Sequence, residues 1–163
     1  MEQKHPWWQG PRGEGYVVIQ FLLFALVAFG PETAPGLPRW SAPWSTVGVW
    51  LGLAIGLVGA GLVLAGLLWL GRNLTAVPHP KADSTLVQSG AYAIVRHPIY
   101  SGIILGAFGL GLLKASTLVI LYALILFLFF DIKSRREEQW LAAKFSDYSQ
   151  YQQRVRKLIP FVY

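Results

Sequence analysis

Residues 99–130 read "IYSGIILGAFGLGLLKASTLVILYALILFLFF", and whether this run crosses a membrane once or twice decides the fold. It far exceeds the roughly 20 residues that one crossing needs, and Lys114 and Ser116 interrupt it near the middle. Working outward, two more apolar segments precede it. Tyr16–Phe29 lies between Gly15 and the Gly30–Pro31 breaker, and Trp44–Leu70 runs from Pro43 to Gly71. Division of the run into Ile99–Leu113 and Ser116–Phe130 gives four segments, and the basic residues then alternate. Twelve of the 14 Lys and Arg fall before the first segment, between the second and third, or after the fourth. Only Arg39 and Lys114 fall on the other side. A single crossing would strand the seven basic residues beyond Phe130 on the wrong side. The positive-inside rule therefore predicts four transmembrane helices, with both termini and the 72–98 loop in the cytoplasm. The first and third segments are short and need flanking residues or a thinned bilayer.

Composition agrees. The 163 residues are 54% hydrophobic and 13% charged, against about 25% charged in soluble domains, with a mean hydropathy of +0.45. The reading is one all-α integral membrane domain over 1–163. No cysteine is present, so disulfides, thiolate metal sites and cysteine nucleophiles are excluded. The net charge of +6 sits beside the spans, where anionic headgroups explain it, and little soluble surface remains for nucleic acid. A signal peptide is disfavoured at the first segment, because its leading stretch is long, holds Glu2 and Glu14, and meets Pro31 where cleavage would fall. Trp7, Trp8, Tyr16, Trp40, Trp44 and Trp69 are expected to form interfacial belts. Gly48, Gly52, Gly56 and Ala60, and likewise Gly102 and Gly106, are expected to form close-packing stripes. These stripes permit dimers but leave the oligomeric state open.

The 72–98 loop, "RNLTAVPHPKADSTLVQSGAYAIVRHP" from Arg72, is longer than adjacent spans require, and long loops are often functional. His79 and His97 lack partners at ligand spacing, so no metal site is expected. Proline disfavours helix at the preceding residue and suits the first helical position, so a helix should begin at Pro98 with His97 at its cap. Such a start favours an anionic group, with Arg96 adding charge and Tyr100 in the first turn. The alternative is plain anchoring, with Arg96 reaching lipid phosphates and Tyr100 in the belt.

Beyond Phe130, Leu141 and Phe145 lie four apart, as do Lys133 and Glu137, which predicts a helix continuing out of the membrane. Lys133, Arg136, Glu137 and Glu138 cluster near the bilayer surface. They are either solvated ion pairs or the two halves of a site for a zwitterionic ligand. Tyr148, Tyr151 and the ending "LIPFVY" are suited to fold back onto the membrane face.

"LVQSGAYAIVRHPIYSG" (86–102), followed across a helical hairpin by "REEQWLAAKFSDYSQYQQRVRKLIP" (136–160), resembles the isoprenylcysteine carboxyl methyltransferase family. The similarity runs from about Gly71 to Val162. Phosphatidylethanolamine N-methyltransferases and sterol reductases carry stretches like "RHPIYSG". The resemblance implies a helical membrane enzyme that binds S-adenosylmethionine at the cytoplasmic face and methylates a lipophilic small-molecule or prenylated acceptor. By matching position, Val77, Ser84, Thr85, Leu86, Val87, Tyr92, His97, Pro98, Ile99, Tyr100 and Glu137 would hold the cofactor. Residues 72–98 would be its loop, and residues 131–163 a cytoplasmic helix and tail completing the site. Lys133 stands where the family has a substrate-binding arginine, with Arg136 as the alternative for that catalytic role. The expected acceptor is a carboxylate or thiol. A phospholipid amine and a non-catalytic lipid-binding scaffold are the rival readings.

Overall fold

The computed structural model describes residues 12–163; Trp7 and Trp8, expected in an interfacial belt, lie outside them. The described residues hold helices and isolated β-bridges but no strands. The helices are α1 (Glu14–Phe29), α2 (Trp44–Leu70), α3 (Ala91–Ile94), α4 (Pro98–Leu113), α5 (Thr117–Lys144) and α6 (Tyr148–Arg154). Two are long and apolar enough to cross a membrane: α2, with the turn through Asn73, and α5. Helices α1 and α4 have 16 residues each, about 24 Å at 1.5 Å per residue.

Helices α2 and α4 form the tightest pair, and glycine is the reason. A Cβ on Gly52 would lie 2.6 Å from the Gly109 carbonyl oxygen, and one on Gly59 would lie 2.6 Å from that of Gly102. Gly48 faces Leu112, and Gly66 faces Pro98 and Ile99, so the two helices run antiparallel with backbones in contact. The stripe differs from the four-residue spacing expected. It passes from Gly52 to Gly59 to Gly66, while Gly56 and Gly106 would meet nothing and Ala60 is exposed. A seven-residue step keeps one seam aligned along a near-parallel helix pair, which a four-residue step cannot do over this length.

At one end, the 30–43 segment packs on the α4–α5 turn. Ser116 caps α5 through the Val119 N–H at 3.1 Å and donates to the Glu32 carbonyl at 2.6 Å. Lys114 pairs with Glu32 at 3.1 Å. The Trp40 indole donates to Thr117 Oγ1 at 2.8 Å. Tyr16 is buried and packs against Phe129. Trp69 covers the backbone of Gly90, whose φ of +60° and contact with that ring leave no room for a side chain.

At the other end, residues 155–163 form a strap behind the start of α4. The Arg96 and His97 N–H groups donate to the carbonyls of Arg156 (2.8 Å) and Lys157 (3.2 Å). Ser101 Oγ donates to the Leu158 carbonyl at 2.6 Å. Lys157 is buried and ion-paired with Asp131 of α5, and Tyr163 OH donates to the same carboxylate at 2.8 Å. The tail thus turns back on α5, through polar contacts more than through its exposed Phe161 and Val162.

Candidate functional site

A cavity of about 220 Å³ opens where α1, α4, α5, α6 and the 72–98 loop converge. Its loop wall is Asn73–Ala76, Pro78, Pro80 and 84–87. This stretch has almost no regular structure, so side chains hold it in place. Asn73 brackets Thr85, donating to its carbonyl and accepting from its N–H, both at 3.2 Å. Lys144, at the end of α5, donates to the Ala82 carbonyl (2.9 Å), to Ser84 Oγ (2.8 Å) and to the Lys81 carbonyl. Neither Asn73 nor Lys144 was singled out from the sequence, where each reads as an ordinary polar terminus residue.

The facing wall comes from α4 and α5. His97 and Tyr100 stack with centroids 5.3 Å apart and planes 4° from parallel, and Tyr100 stacks in turn on Phe130 at 4.5 Å. Tyr100 OH donates to Glu137 Oε2 at 2.8 Å. Lys133 is buried, yet its Nζ donates to Gln20 Oε1 (2.5 Å) and the Ala76 carbonyl (3.1 Å) and lies 5.2 Å from the Tyr100 ring centroid. An ammonium has three N–H donors, so one remains for the cavity.

Of the residues proposed from the sequence, Ser84, Thr85, Leu86, Val87, Tyr92, His97, Ile99, Tyr100, Lys133 and Glu137 all line this cavity. Val77, Pro98 and Arg136 do not. Pro98 is fully buried against α2 at Gly66. Successive helical residues turn by about 100°, so Lys133, Glu137 and Leu141 share a face while Arg136 points aside. Arg136 bonds Gln139 at 2.9 Å and lies 4.7 Å over the Trp140 ring.

Glu138, Tyr148 and Tyr151, noted in the sequence but not assigned to the cofactor set, also take part in this site. Glu138 Oε1 accepts from Arg96 Nε at 2.8 Å and contacts His97 Nε2 at 3.1 Å, and its Oε2 accepts from Gln152 at 3.1 Å. It is thereby the anchor of the Arg96–His97 corner, whereas Glu137 faces the cavity. Arg96 also donates to the carbonyls of Gln152 (3.1 Å) and Val155, so it is held by protein and not by lipid. Tyr148 and Tyr151 of α6 close the floor, with Tyr151 OH donating to the Tyr92 carbonyl at 2.6 Å. The Tyr148 hydroxyl is buried without a hydrogen-bond partner. Burial pushes the phenols of Tyr92, Tyr148 and Tyr151 well up, the Glu137 carboxylate adding to this at Tyr92. All three therefore stay neutral donors. Among the described residues, no cluster of three or more His, Asp or Glu is placed to hold a metal ion.

The profile of the phospholipid methyltransferase family matches residues 47–148, which include most of α2, the loop, α4, α5 and Tyr148. The chain belongs to the phospholipid methyltransferase family. Within that setting it is similar to a cobalt-zinc-cadmium resistance protein of Cupriavidus metallidurans, at 32% identity over 88% of this chain and 61% of the relative. It is also similar to a protein-S-isoprenylcysteine O-methyltransferase of Schizosaccharomyces pombe, at 38% identity over 49% of this chain and 35% of that protein. Among solved structures, the eukaryotic intramembrane Ras methyltransferase ICMT matches with a TM-score of 0.65 and 27% identity, over 94% of this chain and 53% of that one. The chain therefore spans about three fifths of the metal-resistance relative and about half of the solved methyltransferase.

Proposed function

We propose that the protein is an S-adenosylmethionine-dependent methyltransferase acting at the membrane surface on a lipophilic carboxylate of the isoprenylcysteine kind, or on a thiol. The observation that carries this is one cavity in which Glu137, the single open donor of Lys133 and the His97–Tyr100 stack face each other. The donor set fits the cofactor. An acidic side chain suits its ammonium, aromatic faces suit its adenine and its cationic sulfur, and the orphaned Tyr148 hydroxyl wants an acceptor. Ser84–Val87, Tyr92, His97, Ile99, Tyr100 and Glu137 would hold it. When bound, it supplies an electrophilic methyl group on a sulfonium.

The chain's own part is alignment and exclusion of water. Glu137 binds a donor group while Tyr100 fixes its carboxylate. Lys133, anchored by Gln20 and Ala76, orients an anionic acceptor and leaves the proton inventory unchanged, since an ionised carboxylate or thiolate needs no base. An amine acceptor would need a base and would be repelled by Lys133. This is why the acidic acceptor is the better reading within a family described by phospholipid methylation. The loop clamped by Lys144 covers the cavity.

The acceptor's apolar tail has a route. A groove of about 190 Å³ lined by Phe24, Val27, Ala28, Ile103, Gly106, Ala107, Leu110 and Leu126 lies between α1, α4 and α5, and Ile103 also lines the cavity. In a bilayer, α1, α2, α4 and α5 would be the four crossings. The distribution of basic residues would then put the cavity and both termini at the cytoplasmic face. The test is calorimetric titration of detergent-purified protein with S-adenosylmethionine, followed by incubation of membranes with methyl-labelled cofactor and identification of the labelled product by mass. No heat at millimolar ligand refutes the proposal.

A further inference from the structure

Tyr148 is 1% exposed, and its hydroxyl is the one buried side-chain nitrogen or oxygen among the described residues that lacks a hydrogen-bond partner. Its neighbours are already committed. Tyr151 OH is given to the Tyr92 carbonyl and Tyr100 OH to Glu137. Glu138 is taken by Arg96, His97 and Gln152. The ring is held by packing, with the Tyr151 ring edge-on at 5.8 Å, and phenylalanine would supply that packing with no orphaned group. A buried polar atom left unpaired opposes folding, so the hydroxyl calls for a partner that the protein does not itself supply, and Tyr148 lines the cavity. The phenol stays protonated, because burial and then the Glu138 carboxylate push its pKa up. It is therefore a donor in search of an acceptor. Arg96 lines the same cavity. Its Nε and Nη1 are spent on Glu138 and on the Gln152 and Val155 carbonyls, which leaves Nη2. A neutral O–H and a guanidinium on the same cavity suit an anion, while Glu137 on α5 suits a cation.

We propose that the Tyr148 hydroxyl, with Arg96 beside it, hydrogen-bonds the carboxylate of the methyl donor's amino-acid group, whose ammonium faces Glu137. This rests on the methyl-donor reading above. It assigns the carboxylate to α6 and not to the mouth of α4. There the strap already takes the Arg96 and His97 N–H groups, and Gly66 of α2 lies against the Ile99 N–H.

The test is Tyr148→Phe in the full chain, purified in detergent, read by unfolding without ligand and by calorimetric affinity. The expected result has two opposite signs. The ligand-free variant unfolds at the same or a higher temperature, because an unpaired group is gone. Its affinity for S-adenosylmethionine falls about tenfold, as for a hydrogen bond to a charged group. Affinity for decarboxylated S-adenosylmethionine, which lacks the carboxylate, stays at the wild-type value. Equal affinity of variant and wild type for the intact cofactor overturns the role of Tyr148. An equal loss for both ligands overturns the carboxylate assignment. A drop in ligand-free unfolding temperature shows that the hydroxyl has a structural partner, and overturns it too. Failure of the wild type to bind at all removes the methyl-donor reading itself, a result distinct from the other three.

Discussion

The two adjacent glutamates of α5 should separate cleanly under mutation. Glu138 and Arg96 are each 11% exposed and 2.8 Å apart, and Glu138 also holds His97 and Gln152. Removal of one member of such a buried pair costs about 3–5 kcal/mol, because the other charge is left uncompensated. Arg96 keeps two backbone carbonyls, so the lower figure of about 3 kcal/mol applies to Glu138→Ala. In a chain of this size about 1 kcal/mol shifts the midpoint by about 2–4 °C, which predicts a fall of about 6–12 °C. Glu137 is 25% exposed and its one hydrogen bond comes from Tyr100, whose hydroxyl can turn to water in the cavity. Glu137→Ala should therefore move the midpoint by no more than about 2 °C, within the roughly 0.5 kcal/mol of a neutral substitution. It should instead weaken S-adenosylmethionine binding by about 1.5–3 kcal/mol, the range for a charged hydrogen bond. Thermal unfolding in detergent and calorimetry on the same preparations measure both quantities. Similar unfolding midpoints for the two variants would refute the division between an anchoring and a ligand-facing carboxylate.

Two further outcomes follow from the cavity walls. Lys133→Met keeps the buried packing but removes the acceptor-facing charge; cofactor affinity should change by less than about threefold while turnover of an acidic acceptor falls by about 10², and equal losses in both would overturn the assigned role. A Cβ at Gly106 meets no atom, so Gly106→Phe should fill the groove without disturbing the α2–α4 seam. The KM for a long-chain acceptor should rise while cofactor affinity holds, and unchanged kinetics would exclude the groove as the tail's route.

Much of this arrangement was legible from local chemistry. Pro98 marks the first turn of α4 because proline suits that position and repels helix before it, and α4 begins there. The four-residue spacing of Lys133, Glu137, Leu141 and Phe145 predicts one face of a helix leaving the membrane, and α5 runs to Lys144. What stayed hidden depends on distant partners. Nothing adjacent to Glu138 reveals that Arg96 and His97, some forty positions earlier, converge on it. Arg136 was the alternative for the substrate role because it carries the guanidinium fork that Lys133 lacks, and helical rotation turns it from the face of Lys133 and Glu137. The glycine stripe was sought at every fourth residue, whereas two antiparallel helices in backbone contact repeat their meeting points every seven. The tail's return was expected, but its partners were not legible, because "RKLIP" carries no periodic signal and its task is to lend carbonyls to Arg96 and His97.

That strap has a consequence for synthesis. Every long helix is complete by Lys144, yet the corner that presents His97 stays unfastened until Arg156 and Lys157 have been added. A nascent chain can thus have every long helix formed and still lack the fastened His97 corner, so helix formation and completion of that corner are separate steps in synthesis.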